Sequence, residues 1–111
     1  MTASTPETYT VAIEAAVAET QASLTLARED ARPVAPDNSL GRLTRLDAMQ
    51  QQQMALARVG RLEARLRALD GAKSRLNDQS FGECVRCGDA IPEARLLARP
   101  EAALCLRCER G

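Results

Sequence analysis

Four cysteines near the C-terminal end are the residues of this chain whose types and spacing point most directly to chemistry. They form two Cys-x-x-Cys pairs, Cys84 with Cys87 and Cys105 with Cys108, and the chain has no other cysteine. Two such pairs at this separation are typical of a four-thiolate zinc site, in which each pair spans one edge of a tetrahedron. Because the chain has no histidine, the protein ligands would be four sulfurs. This set closes the coordination shell, so we expect one structural Zn²⁺ and not a catalytic metal.

Two other uses of paired cysteines fit the sequence less well. Structural disulfides suit secreted proteins, but the polar N-terminal residues Met1 to Pro6 contain no apolar signal-peptide core. A thioredoxin-like redox pair needs a strand followed by a helix, which the residues around Cys84 do not predict. Gly88 follows the first pair and can take the positive φ that turns backbone N–H groups toward the sulfurs. Glu109 stands at the matching place after the second pair, so a glycine supports the zinc interpretation at the first pair only.

Length and composition limit what surrounds these cysteines. A chain of 111 residues is one small domain, or a module with an appendage, and one Tyr and one Phe cannot fill a globular interior. No apolar run approaches the roughly 20 residues of a membrane span. Reduced thiols without a signal peptide predict a cytoplasmic protein that does not contact a membrane.

The net charge of zero hides a separation of charges along the chain. Residues 1–41 contain six acidic and two basic residues, whereas residues 42–75 contain eight basic and three acidic ones. The first segment therefore carries a net charge of −4 and the second a net charge of +5. Two helices folded back on each other would use such opposite charges to favour pairing.

The first of these segments has the pattern of an amphipathic helix. Thr5 is a candidate N-cap, Pro6 fits the first helical position, and Glu7 lies in the first turn. Apolar or small residues then recur at steps of four and three, which predicts a heptad seam of Ile13, Val17, Thr20, Leu24 and Ala27. Because the residue before a proline is pushed out of the helical region, the helix should end at Arg32-Pro33.

A second, longer helix is predicted from about Leu40 to about Asn77. The glutamine run 50–53 should continue this helix, whereas Gly71 weakens it. Its apolar seam, which Lys73 interrupts, consists of Val59, Leu62, Leu66, Leu69 and Leu76. The fold class is therefore mainly α, with a long antiparallel helical hairpin, a coiled coil, over residues 1–79 and its tip near residues 32–42. A small four-cysteine zinc module follows over residues 80–111. A dimerising coiled coil is the alternative, but the short proline-bounded turn favours an intramolecular hairpin and a monomer.

Residues 81–108 closely resemble the zinc-finger signature of the DksA/TraR family. The shared features are an aromatic-Gly-x-Cys entry at Phe81, the Cys-Gly knuckle, Ile91-Pro92 opening a short helix, Arg-Leu-x-Ala-x-Pro at residues 95–100, and the final Cys-x-x-Cys. Leu96, Leu97 and Ile91 should give the short helix, which begins with Pro92, a face over the metal knuckles, with Phe81 in the same small core.

The resemblance implies a bacterial transcription regulator that is not an enzyme. Such proteins bind RNA polymerase directly: the hairpin enters the secondary channel, the zinc module lies near its rim, and no DNA sequence is read. Family members carry an Asp-x-x-Asp-x-Ala motif at the tip, which Asp47-Ala48 matches only in part, with Asp37 as the other candidate acid. Arg99 lies where some members contact the nucleotide ppGpp. Glu109 stands where others have a base and would repel a polyphosphate.

Two other functions remain open from the sequence. A nucleic-acid-binding zinc ribbon is one alternative, although residues 76–111 lack the basic excess expected of it, with five basic against six acidic residues. A coiled-coil adaptor that grips another helix is the other. Enzymatic activity is disfavoured because the sequence has no histidine, no thiol outside the proposed metal set and no phosphate-cradling glycine loop.

Overall fold

The fold was obtained as a computed structural model that describes residues 5–33 and 42–110, without the side chains of residues 42–44. Four helices follow one another in these ranges: α1 (Pro6–Asp30), α2 (Arg42–Asn77), α3 (Glu93–Ala98) and α4 (Leu106–Arg110). The only β structure among the described residues is an isolated antiparallel bridge between Glu83 and Ala90. The prediction of a mainly α protein is confirmed.

Helix α1 begins where its sequence signals placed it and ends shortly before the predicted stop at Arg32-Pro33. Thr5 has extended backbone angles, and its Oγ1 accepts a hydrogen bond of 3.3 Å from the backbone N–H of Thr8. Pro6 occupies the first turn, where its missing N–H costs nothing because that group would have no partner within the helix. The last helical residue is Asp30, and the N–H of Ala31 closes the end by donating to Ala27 O at 3.0 Å.

The two long helices pack antiparallel along the predicted seam. Late residues of α1 lie beside early residues of α2: Gln52 Nε2 donates to Ala31 O at 3.3 Å. All five predicted seam residues of α1 turn inward, with Val17 partly buried and the other four buried. The hydroxyl of buried Thr20 donates to Ala16 O at 2.6 Å, so its polar atom is satisfied inside the helix.

The best-packed part of the hairpin lies near the zinc module. Its core consists of Ile13 and Ala16 from α1 with Leu69 and Ala72 from α2, and Ile13, Leu69 and Ala72 are fully buried. Helix α2 continues through both the glutamine run and Gly71, as predicted. Ala72 restores the seam beside Lys73, which is exposed. The 36 residues of α2 span about 54 Å.

Phe81 links the hairpin to the C-terminal residues and corrects one expectation. The chain reverses after α2, where the N–H groups of Ser80 and Phe81 both donate to Arg75 O, at 2.9 and 3.1 Å. This turn directs Phe81 back onto the hairpin core, with its ring centroid 4.8 Å from that of Tyr9. The prediction that Phe81 packs within the zinc module was wrong, because the turn geometry decides its direction.

Helix α3 packs on α1, and Glu101, which follows α3, accepts a hydrogen bond from Arg65 of α2, so residues after α2 contact both long helices. None of the helices in the described ranges combines the length and the apolar character needed to cross a membrane.

Candidate metal centre

The structure brings the sulfurs of Cys84, Cys87, Cys105 and Cys108 together, all within 4.8 Å of one another. The Sγ atoms of Cys87 and Cys105 are 3.6 Å apart, far longer than the roughly 2.05 Å of a disulfide. A tetrahedral zinc with Zn–S bonds of about 2.3 Å would hold its sulfurs about 3.8 Å apart. Donor type, number and spacing therefore fit one Zn²⁺, and when bound it would cross-link the two pairs.

The first cysteine pair is shaped by a tight turn. The N–H of Cys84 donates to Asp89 O at 2.8 Å, and the N–H of Gly88 donates back to Cys84 O at 2.9 Å. Gly88 has φ of +83°, so the positive φ expected at this position is confirmed. A residue with a Cβ would be strained there, which explains the glycine after the first pair.

The second pair is built on the start of α4 instead of a glycine turn. Cys105 directly precedes the helix, Cys108 lies in it, and the N–H of Glu109 donates to Cys105 O at 3.0 Å. Glu109 has a helical backbone, so no glycine is required after this pair. The N–H of Val85 donates to Ala103 O at 2.9 Å and connects the backbones that carry the two pairs.

The four thiols differ in burial, and the pKa values of Cys84 and Cys108 are shifted in opposite directions. Cys84 and Cys105 are buried, whereas Cys87 is exposed. Backbone hydrogen bonds, first that at Cys105, lower the pKa of the Cys84 thiol to about 6. Desolvation, with hydrogen bonds to the other thiols, raises the pKa of Cys108 to about 12. Since zinc binds thiolates, its binding at neutral pH would release the proton that Cys108 otherwise retains.

Two arginines cross between the cysteine pairs. Arg107, from the second pair, donates to Asp89 Oδ2 at 3.0 Å, and its contact with Cys87 contributes most to raising its pKa. Arg86, from the first pair, donates to Cys108 O at 3.5 Å. A zinc ion with four thiolates carries a net charge of −2, so guanidinium groups at this place reduce the cost of holding that charge.

Residues 79–111 match the sequence profile of the prokaryotic dksA/traR C4-type zinc finger. These C-terminal residues are a finger of the dksA/traR type, the dksA/traR finger. A similar fold occurs in the transcription factor DksA2 from Pseudomonas aeruginosa, with a TM-score of 0.67, 24% identity, and coverage of 94% of this chain and 81% of that chain.

A second relative is an uncharacterized protein of Aquifex aeolicus, 42% identical over 45 residues. This match covers 40% of the present chain and 31% of the Aquifex protein, so the chain spans about a third of that relative's length. The dksA/traR profile covers the C-terminal residues alone, whereas the structural similarity to DksA2 includes the hairpin.

The dksA/traR finger is completed by a small apolar contact under α3. Ile91 and Leu96 are buried, whereas Leu97 is 44% exposed, so the expectation that Leu97 also faces inward was wrong. The helix begins at Glu93 with Pro92 as its N-cap, one residue later than expected. A helix of six residues has one turn to bury, and Leu97 falls on its outer side.

Of the residues that the resemblance assigned to the hairpin tip, the structure places two. Asp47 is exposed in the second turn of α2, and Ala48 beside it is half-buried. Asp37 lies outside the described residues. Asp47 and Asn77 are about 45 Å apart along the axis of α2, so the tip and the dksA/traR finger are at opposite ends of the hairpin.

Arg99, the residue that the resemblance linked to ppGpp, is exposed but paired. Its Nε lies 3.8 Å from Glu101, whose carboxylate also accepts a hydrogen bond of 3.1 Å from Arg65 of α2. Glu101 is largely buried and joins the finger to the hairpin, a role that no sequence pattern indicated. Glu109, expected to repel a polyphosphate, is itself ion-paired with Arg95.

Proposed function

We propose that this protein is a bacterial transcription regulator that binds RNA polymerase directly. The observation that carries the proposal is the position of a dksA/traR finger at the base of a long hairpin whose fold is that of a transcription factor. In this proposal the hairpin enters the secondary channel of the polymerase, and the zinc module stays near the rim. In this proposal residues 1–79 form the helical hairpin and residues 80–111 form the zinc-binding module.

The metal has a structural role in this proposal. Cys84, Cys87, Cys105 and Cys108 are its four ligands, and they leave no coordination position for water or substrate. Zinc would stabilise a finger whose own apolar contact is small, since binding free energy of such sites is on the order of 10 kcal/mol in zinc-finger peptides. The protein then acts without catalysing a reaction.

The tip carries the regulatory activity. Exposed Asp47 supports this assignment, because an acidic side chain that projects from the end of a hairpin is available to groups inside the channel. Ala48 and Asp37 are the other proposed tip residues. We further propose a cytoplasmic monomer that reads no specific DNA sequence and that contacts ppGpp through Arg99. Such a contact competes with the ion pair between Arg99 and Glu101, which would have to open. We therefore expect the protein to bind polymerase without ppGpp.

A pull-down with purified bacterial RNA polymerase, followed by in vitro transcription from a ribosomal RNA promoter, tests the function. We expect wild-type protein to be retained by polymerase and to alter transcript yield, and Asp47→Asn or Asp37→Asn to bind but to alter yield less. Asp70→Asn is the matched control, since Asp70 is exposed on the same helix near the opposite end. Absence of polymerase binding would refute the function, while wild-type yields from both tip variants would refute only the tip assignment.

Binding to DNA is the outcome that would favour the nucleic-acid ribbon. Such binding should weaken steeply with salt, because phosphate contacts release counterions. We expect the protein to be retained by polymerase at moderate salt and to show no DNA affinity under the same conditions.

A further inference from the structure

Both cysteine pairs of the finger enclose the same two residue types, an apolar residue followed by an arginine. The two arginines make different contacts with the opposite pair. Arg86 Nη1 reaches a backbone group, Cys108 O, at 3.5 Å, whereas Arg107 Nη2 donates to a side chain, Asp89 Oδ2, at 3.0 Å. Asp89 follows Cys87 by two residues, so its ion pair with Arg107 places a guanidinium beside one particular sulfur of the metal set.

That sulfur belongs to the most accessible of the four cysteines. Cys84 and Cys105 are buried and Cys108 is partly buried, whereas Cys87 is exposed. A thiolate is both the form that binds metal and the form that reacts with electrophiles, so accessibility decides which ligand a reagent meets first. Cys87 is therefore the ligand at which we expect zinc exchange to begin.

Arg107 contacts Cys87 as well as Asp89. A hydrogen bond with the Cys87 side chain, and next the charge of Asp89, raise the pKa of Arg107. A guanidinium has five N–H donors in a rigid fork, so it can donate to a sulfur and a carboxylate at once. The side chains of Arg107 and Asp89 are 76% and 63% exposed, so their ion pair by itself contributes little to stability. Its effect should be sought at the sulfur.

We infer that Arg107 and Asp89 form a clasp over Cys87 that slows the loss of zinc from the finger. Arg107 is a positioning residue in this clasp: its hydrogen bond lowers the electron density of the exposed sulfur and offsets part of the negative charge of four thiolates. Asp89 holds the guanidinium in place. The clasp concerns metal retention, which the proposed function does not address, and it does not depend on polymerase binding.

The test is the rate at which the zinc-loaded full chain transfers its metal to an excess of the coloured chelator 4-(2-pyridylazo)resorcinol. Arg107→Gln removes the guanidinium and keeps a good helix former in α4. Arg110→Gln is the matched control, since it removes the same charge from an exposed position of the same helix. Loss of a hydrogen-bond partner of a metal ligand typically costs roughly 10- to 100-fold in metal affinity. Because Arg107 is exposed, we expect the lower end, about tenfold faster transfer, against about twofold at most for the control.

Asp89→Asn examines the clasp while leaving Arg107 and all four cysteines in place. This variant should transfer zinc several-fold faster than wild type, because the guanidinium is no longer held beside Cys87. It also decides the inference if Arg107→Gln does not retain zinc at all. A wild-type rate for Asp89→Asn would overturn the clasp.

Cobalt(II) in place of zinc gives a spectroscopic measurement that is independent of rates. A hydrogen bond stabilises the filled orbitals of a thiolate, so its loss should move the sulfur-to-cobalt charge-transfer absorption to longer wavelength. We expect this shift for Arg107→Gln and an unchanged spectrum for Arg110→Gln. Identical spectra for wild type and both variants would overturn the contact with Cys87.

Partial alkylation with N-ethylmaleimide identifies the ligand that is attacked first. The thiolate sulfur adds to the maleimide double bond, and the neighbouring carbon takes a proton from water. Peptide mapping by mass spectrometry should find the first label on Cys87 in wild type, and several-fold faster labelling there in Arg107→Gln. A first label on Cys84 or Cys105, or equal transfer rates for Arg107→Gln and Arg110→Gln, would overturn the inference.

Discussion

Truncating Leu69 to alanine tests the packing on which the hairpin depends. Leu69 is fully buried between Ile13 and the alanines of the core, and its removal deletes three carbon atoms. At about 0.8 kcal/mol per buried carbon, the lost transfer free energy alone is about 2.4 kcal/mol. The neighbouring residues are held by two helices and cannot collapse fully into the space, so a cavity adds to this cost and the total should be about 3 kcal/mol.

The matched control is Leu56→Ala on the same helix. Leu56 is 46% exposed, so the same three carbons are only partly removed from water in the folded protein, and the expected loss is about 1 kcal/mol. Both changes replace leucine with the best helix former, so differences in helix propensity cancel.

Urea unfolding followed by circular dichroism at 222 nm, with zinc present, measures the two losses. For a small protein whose free energy of unfolding changes by about 1–3 kcal/mol per molar urea, Leu69→Ala should lower the midpoint by about 1–3 M. Leu56→Ala should lower it by about a third of that amount. Equal midpoints for the two variants would refute the packing assigned to the hairpin. Ile13→Val, expected to cost about 1 kcal/mol, provides a folded variant if Leu69→Ala is too unstable to measure.

Three further predictions concern the zinc module and its attachment. Removing zinc with a chelator should unfold the finger but leave most of the helical signal, since the hairpin core contains no cysteine; full loss of the signal at 222 nm would contradict this. Gly88→Ala should lose zinc faster than wild type in a chelator competition, because φ of +83° is strained for alanine by about 1–2 kcal/mol. Gly60→Ala, which has open space around it on α2, is the control and should raise the free energy of unfolding by about 1 kcal/mol. Faster zinc loss from Gly60→Ala than from Gly88→Ala would refute the turn geometry. Glu101→Gln should weaken the joint with Arg65 and speed amide exchange near Phe81 in hydrogen-exchange mass spectrometry; unchanged exchange would show that Glu101 does not hold the joint.

The sequence was sufficient for most of the hairpin. The seam residues from Ile13 to Ala27 and the cap at Thr5 were predictable because they follow from local periodicity and capping, which depend on near neighbours in the chain. The four cysteines were predictable for a similar reason, since two turns fix the spacing within each pair. The continuation of α2 through Gly71 followed from the resumed pattern beyond it.

The wrong predictions concern side chains whose direction depends on tertiary structure. Phe81 was assigned to the finger, but the reversal after α2, with two N–H groups bonded to Arg75 O, turns it toward Tyr9. The prediction that Leu97 faces inward was wrong because a six-residue helix buries one side only, and the sequence does not indicate which of its two leucines lies on that side. Glu101 was not predicted at all, since its partner Arg65 is distant in the chain and no periodic pattern connects them.

Entry of the hairpin tip into the secondary channel of RNA polymerase, as we propose, can be measured directly. Ferrous iron placed at the catalytic metal site of the polymerase generates hydroxyl radicals that cut nearby protein backbone. We expect end-labelled protein to be cut between about residues 32 and 50 when polymerase is present, and residues 80–111 to be spared. Cleavage within the zinc module, or no cleavage in the hairpin of bound protein, would contradict entry of the tip into the secondary channel.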